Sequence, residues 1–544
     1  HALNEIETSS LYNDDLAPVP IAKRNWTTYN YAALWISMAH CIPTYMLASG
    51  LISSGMNWWQ ALLTILIANS IVLVPILLNS HPGTKYGIPF PVFARASYGT
   101  FGSNLPALMR ALVACGWFGI NAWIGGLALN TLLHTLIPSW PTLLGGPIYD
   151  GYAATQWISF LLFWGLNIFV VYRGMNLLRH VENWAAPFVL IMTAILLGWV
   201  LWKANGIGPL LNRPGNYPTL GAFFPAFIPS LTAMIGFWAT LSLNMPDFTR
   251  FGRSQREQVV GQVVALPTTM TLFAAMSVMI TSSALVIFPH MKAEELWDPI
   301  NLVGQFSNAW VVAISMFTIV VATLSVIIAA NVVSPANDFA NAFPRWISFR
   351  TGGLITGIVG ILMHPWRLLA DPTGYIFVWL QGYSGGLASI AGVLIADYWV
   401  VRKKRLELGD LYRSSGAYAY ENSILIRIAV TCVFGVAGFA LGGIVRVATV
   451  GMGTIASQAL MIVVIIVSVL VGWVLTKKGS NWRAVLATVL GCFCAWVGAF
   501  VPSLKPLYDY AWFVGFGVSF FSYILFMKLT PPKFTPVPTA AEAE

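Results

Sequence analysis

Charge is what this chain has least of. Only 9% of its 544 residues are Asp, Glu, Lys or Arg, while 57% are hydrophobic. Soluble domains carry roughly 25% charged residues. So much apolar side chain cannot be hidden in an internal core, so lipid must be the solvent. Carboxylates are rarer still within the apolar runs. Asp247, Asp338 and Asp397 each lie near the end of a run and are scattered. That leaves no clustered acids and no nucleophile–base pair for a membrane-embedded enzyme. Cysteine is scarce and unpatterned: Cys41, Cys115, Cys432, Cys492 and Cys494 all fall inside apolar segments, without metal-ligand or disulfide spacing. A P-loop is missing, so work against a gradient must draw on an ion gradient. Up to Asn25 the chain is polar, with no signal-peptide pattern. The formal net charge of +9 does not point to nucleic acid, because the basic residues sit in short loops between apolar runs.

What is there is a series of long apolar runs. About fourteen spans are predicted, near 29–52, 57–79, 104–136, 155–173, 183–203, 221–246, 258–288, 308–333, 351–369, 373–400, 424–445, 455–475, 482–501 and 508–528. The loops fall into two sets. One holds Lys23, Arg24, Lys85, Arg95, Arg250, Arg253, Arg256, Arg345, Arg350, Arg402, Lys403, Lys404 and Arg405, among others. The other holds only Lys203, Arg213, Lys292, Arg367, Arg446 and Lys505, with the acids Glu294, Glu295 and Asp298. The positive-inside rule then predicts a multi-pass protein of the cell membrane with both termini in the cytoplasm.

Two spans read as interrupted. Span 1 contains Ser37-Met-Ala-His-Cys-Ile-Pro43-Thr-Tyr45, and span 6 contains Pro225, Pro229, Gly236-Phe-Trp-Ala-Thr240, Asn244 and Pro246. Irregular backbone at membrane depth survives only where it lines a cavity. The two are five spans apart, so a second five-span unit would enter the membrane inverted. Breaks at matching places in inverted halves point to a transporter's binding site, although prolines also kink helices without function. In span 3, Trp117 and Asn121 are one turn apart on one face. A ring and an amide there can hold a flat polar molecule, or can serve helix packing alone. Gly116, Gly119, Gly125 and Gly126 allow close backbone approach. In span 8, Ser325 and Asn331 are polar residues of the stretch 322–338. An aromatic clamp between broken helices favours occlusion, hence a secondary transporter, over a channel's continuous pore.

Several stretches are more specific: Lys85-Tyr-Gly-Ile-Pro-Phe-Pro-Val-Phe-Ala-Arg-Ala-Ser-Tyr-Gly99, Ile42-Pro-Thr-Tyr45, Asn244-Met-Pro-Asp-Phe-Thr-Arg250, Asn331-Val-Val-Ser-Pro-Ala-Asn-Asp338, Asp397-Tyr-Trp-Val-Val-Arg402 and Tyr508-Asp-Tyr-Ala-Trp-Phe-Val-Gly515. In their order and spacing they resemble the nucleobase–cation symporters, a family of permeases for hydantoins, allantoin, uracil, cytosine and thiamine. The resemblance implies an all-α, leucine-transporter-like core of two inverted five-helix repeats with additional peripheral helices. It implies a substrate site in which Trp117 and Trp238 cover the two faces of a planar nitrogen heterocycle. Asn121 and Asn331 would bond its rim, with Cys41 and Phe237 beside them. Indoles supply stacking area, and amides match both donors and acceptors.

The resemblance also implies a sodium site, with carbonyls of Ser37, His40 and Ala322 and the hydroxyl of Ser325. There the chain departs from the pattern: Val326 stands where a second hydroxyl is expected, and valine offers a hard cation no oxygen. No cofactor is expected beyond the coupling cation, proton or sodium. His40, beside the break, is the side chain able to exchange a proton near neutral pH.

The expected organisation is an N-terminal segment 1–28, a first repeat 29–203, a second repeat 204–400, a cytoplasmic loop 401–420, an extra two-helix hairpin 421–478, two final spans 479–529 and a tail 530–544. Expected partners are a small heterocyclic substrate, membrane lipid and, through the glycine-bearing hairpin, a second copy of the chain.

Overall fold

The structure is a computed structural model that describes residues 6–173, 175–207 and 211–533; side chains at 175–186, 293–294, 325, 328–329 and 333 lie outside the description. Ten described helices are long and apolar enough to cross a membrane, and four shorter apolar helices accompany them. The expected spans fall on these fourteen. Span 3, Asn104–Leu136, is the most enclosed of the long helices together with span 10, Gly374–Val401, each about 83% buried over its most apolar window. Both lie at the centre, which is why their sequences are apolar all round rather than on one stripe.

Span 1 is two helices, Thr28–Ala39 and Ile42–Ser53, parted at His40 and Cys41. Cys41 is extended, with φ −144° and ψ 161°. Pro43 lies in the first turn of the second helix, where its missing N–H costs nothing. Span 6 breaks later than its prolines. Pro225 and Pro229 sit inside the helix Leu220–Phe237, and the chain leaves helical form at Trp238. It resumes in Leu241–Asn244 and Pro246–Thr249. Span 2, Trp58–Tyr86, and span 7, Gln255–Ile287, also run through internal prolines. Proline alone therefore does not mark the break.

Two of the four span-3 glycines meet backbone. A Cβ built on Gly119 would stand 2.4 Å from the Gly360 carbonyl oxygen in span 9, and one on Gly126 would stand 2.7 Å from Phe160 Cα in span 4. Gly116 and Gly125 instead accept rings, with hypothetical Cβ distances of 2.2 Å to Trp379 and 2.1 Å to Phe163. On the side away from the basic loops, a hairpin of Pro147–Tyr149 and Tyr152–Ala153 is clasped by Asp150, which accepts from Arg367 Nε at 2.8 Å and Trp366 Nε1 at 2.7 Å.

The hairpin at 421–478 forms two helices, Ile424–Ala448 and Thr454–Val474, of which only about 11% is buried over the most apolar window. They pack on each other through Gly438 against Ser468, Gly442 against Met461 and Gly472 against Phe434. Arg427 lies over the Trp473 ring, 3.8 Å from its centroid. This unit touches the rest of the bundle little, so deleting 424–474 with a short Gly-Ser bridge is expected to leave substrate affinity unchanged. Ligand binding to the purified variant checks this.

Candidate functional site

Span 10 bonds the backbone beside both breaks. The Tyr375 hydroxyl donates to the Pro43 carbonyl at 2.8 Å, and the Tyr383 hydroxyl donates to the Gly236 carbonyl at 2.8 Å. Between these tyrosines, four residues from each, stands Trp379, so the three share a helix face. The first of them lies in a π-helical stretch, Gly374–Leu380, that also includes Trp379. Widened turns of this kind recur at functional sites.

Around this face the aromatics form one buried cluster. Trp117 meets Phe237 edge-on at 5.3 Å, Tyr375 at 6.2 Å and Trp379 at 5.9 Å between centroids. Phe237 meets Trp238 at 4.7 Å and so stands between the two indoles, while Trp238 meets Trp35 at 5.0 Å. Trp117 and Trp238 are both 7% exposed. The sequence reading missed Tyr375, Trp379 and Tyr383; their regular i, i+4, i+8 spacing was the signal available.

One turn beyond Trp117 the packing opens into a cavity of about 90 Å³ between spans 1, 3, 5, 7 and 8. That is several times the ~10–15 Å³ needed for one water. Cys41 and Asn121 border it, as do His40, Ala322 and Val326. Asn121 gives one amide N–H to the Trp117 carbonyl at 3.0 Å, which leaves its oxygen and its second N–H to meet a ligand. Cys41 Sγ is 3.2 Å from Thr44 Oγ1. Trp117, Phe237 and Trp238 lie in the adjoining cluster rather than on the cavity wall. Asn331 ends the helix Ala309–Asn331, half-buried, away from the cavity wall. Ser37 is exposed on the first half of span 1. The Ser325 side chain lies outside the described residues.

A second polar constellation sits on the basic-loop side. Arg110 of span 3 pairs with Asp338 at 3.1 Å, and their side chains are 3% and 1% exposed. Ser334 donates to Asp247 Oδ2 at 2.9 Å, and the Phe90 backbone N–H donates to Asp247 Oδ1 at 2.8 Å. Arg95 donates to Asn341 at 2.8 Å, and Asn341 to Asn104 at 2.9 Å. Arg402 pairs with Asp397 at 2.7 Å and also reaches the Ala96 carbonyl at 3.0 Å. Four of the sequence motifs thus meet in one set of joints, which tie the second half of span 6 to the loops after spans 2, 8 and 10.

Comparison with known proteins gives a consistent picture. A family described as permeases for cytosine/purines, uracil, thiamine and allantoin matches residues 18–459. The chain is 38% identical to an allantoin permease of Bacillus subtilis (strain 168), over 99% of this chain and 97% of that one. It is 41% identical to a purine-uracil permease of Arabidopsis thaliana, over 78% of this chain and 70% of that one. Among solved structures it resembles Mhp1 in its inward-facing conformation, with a TM-score of 0.62 at 24% identity, covering 86% of this chain and 94% of that chain. It is equally similar, at TM-score 0.62 and 22% identity over 92% of this chain and 100% of that chain, to Mhp1 closed around bromovinylhydantoin, where Mhp1 is described as a nucleobase-cation-symport-1 family transporter. At these identities the structural likeness is one of fold.

Two outcomes follow from the geometry. Tyr375→Phe removes the hydrogen bond to the Pro43 carbonyl beside the span-1 break and should cost about 0.5–1.5 kcal/mol of stability, read from thermal unfolding in detergent. Arg110→Leu leaves Asp338 buried without its partner and should cost ~3–5 kcal/mol; adding Asp338→Asn should restore much of that loss in the same measurement.

Proposed function

The chain belongs to the family of permeases for cytosine/purines, uracil, thiamine and allantoin, and from that premise we propose that it imports a small planar nitrogen heterocycle by alternating access, driven by a cation gradient. The substrate is a hydantoin, allantoin or a pyrimidine nucleobase such as uracil. The observation that carries this reading is the juxtaposition of the span-1 break, the Asn121 amide and the Trp117 cluster around one internal cavity. In this reading Trp117 stacks on the ring, Phe237 moves from between the two indoles to admit it, and Trp238, Asn121, Asn331 and Cys41 meet its rim. The basic-loop side faces the cytoplasm, with the termini there, in the cell membrane.

The coupling ion in this reading is the proton. Val326 removes an oxygen from the expected sodium site, whereas His40 borders the same cavity. Its Nδ1 is 2.5 Å from the Ile36 carbonyl. A carbonyl only accepts, so Nδ1 carries the hydrogen and Nε2 bears the lone pair.

Uptake of radiolabelled allantoin and uracil into cells tests both parts. Uptake of at least one should be concentrative, collapse with a protonophore, and persist when choline replaces sodium. Trp117→Ala should weaken binding by ~1–3 kcal/mol, borrowing the base–aromatic stacking magnitude. Loss of uptake in choline would overturn proton coupling, and unaltered binding by Trp117→Ala would overturn the site.

A further inference from the structure

Two indoles of the aromatic cluster carry buried donors with nothing to bond. Among the described residues the Nε1–H groups of Trp238 and Trp379 have no hydrogen-bond partner, although each residue is only 7% exposed. The third indole differs: Trp117 has the Tyr383 hydroxyl as a hydrogen-bonding neighbour. A buried donor left unpaired forfeits the full hydration of that group. Phenylalanine at 238 and 379 would keep a stacking ring without that penalty, so the two bare N–H groups call for an acceptor.

The two donors belong to one place. Trp379 packs on Trp117 and against Gly116, where a Cβ would stand 2.2 Å from its ring. Trp238 is two residues beyond Gly236, whose carbonyl is held by Tyr383, one turn past Trp379. One donor lies at the break of span 6 and the other on the face of span 10 that seals both breaks.

We propose that Trp238 and Trp379 are specificity-determining donors, each giving its indole N–H to a ring carbonyl of the substrate. This rests on the transport reading above and narrows it. The site selects flat rings bearing two exocyclic oxygens, and disfavours rings in which an amino group replaces one of them, because an amino group offers hydrogens to a site that already donates. Uracil and hydantoin fit this rule; cytosine does not. Trp379 thereby joins the site from span 10, outside the 397–402 stretch at that span's end.

The test uses two ligand pairs on the purified full-length protein: uracil against cytosine, and hydantoin against ethyleneurea, which keeps one carbonyl. The dicarbonyl ring of at least one pair should bind about tenfold or more tightly than its partner, the scale of a lost hydrogen bond to a buried donor. Trp379→Phe and Trp238→Phe keep a stacking ring, and each should shrink that preference several-fold. Trp512→Phe is the control. Its indole N–H is likewise buried and unpaired, but it packs on Phe513 and Phe516 in the last span, so the preference should be unchanged. Equal affinity within both pairs, or a preference retained in both phenylalanine variants, would overturn the proposal while leaving transport intact. If a variant fails to fold, the ligand pairs on the unaltered protein still decide. Failure of the unaltered protein to bind or take up any planar heterocycle would overturn the transport reading itself.

Discussion

Everything in this structure turns on the obligation to satisfy backbone groups where water cannot reach them. An unbroken helix meets it automatically; a broken one leaves carbonyls bare in a medium with no donors of its own. Spans 1 and 6 are both broken, and a single helix face bonds the backbone beside each break. Tyr375 serves Pro43 and Tyr383 serves Gly236. The cavity, the aromatic cluster and the π-helical turn of span 10 are arranged around those two bonds. Because the two tyrosines are eight residues apart on one element, the two halves of the bundle are joined by a common strut at the very points where each is weakest.

The opposite demand is met on the basic-loop side. There the polar groups are numerous, and the problem is to bury charge without stranding it. Arg110 and Asp338 answer each other directly, while Asp247 is held by a hydroxyl and a backbone N–H. Removing one partner from such a pair is far more damaging than never having had the pair. This is a physical reason for the residue identities in these loops to be so restrictive. The span-6 segment carrying Asn244 and Asp247 is tied here on one end, while its break lies among the indoles on the other. The joints and the binding cluster are therefore two ends of the same short piece of chain.

The fold was largely legible because a span must be long and apolar, and the loops must segregate by charge. The exact position of the span-6 break was not. Pro225 and Pro229 stand inside an intact helix, while the interruption falls at Trp238; neighbouring helices can repair a proline's lost bond, so proline marks a permitted break rather than an actual one. The site was legible in part. Asn121 and Cys41 border the cavity, and Trp117, Phe237 and Trp238 do gather, yet Phe237 stands between the indoles where the motifs alone imply a gap. Tyr375, Trp379 and Tyr383 escaped notice because aromatics at helical spacing are ordinary in a buried span. Much of the conspicuous strings, Phe90 to Ala96 and Ser334 to Asp338, forms joints on the basic side, so the most recognisable stretches of the chain serve largely to tie its loops together.

The meeting of Gly119 with Gly360 has a mechanical meaning. With backbone pressed on backbone and no room for even a methyl group, spans 3 and 9 have no side-chain cushion over which to slide. They act as the stator of the machine. Whatever rotor exposes the cavity first to one face and then to the other must be sought among the elements that touch this crossing through side chains alone.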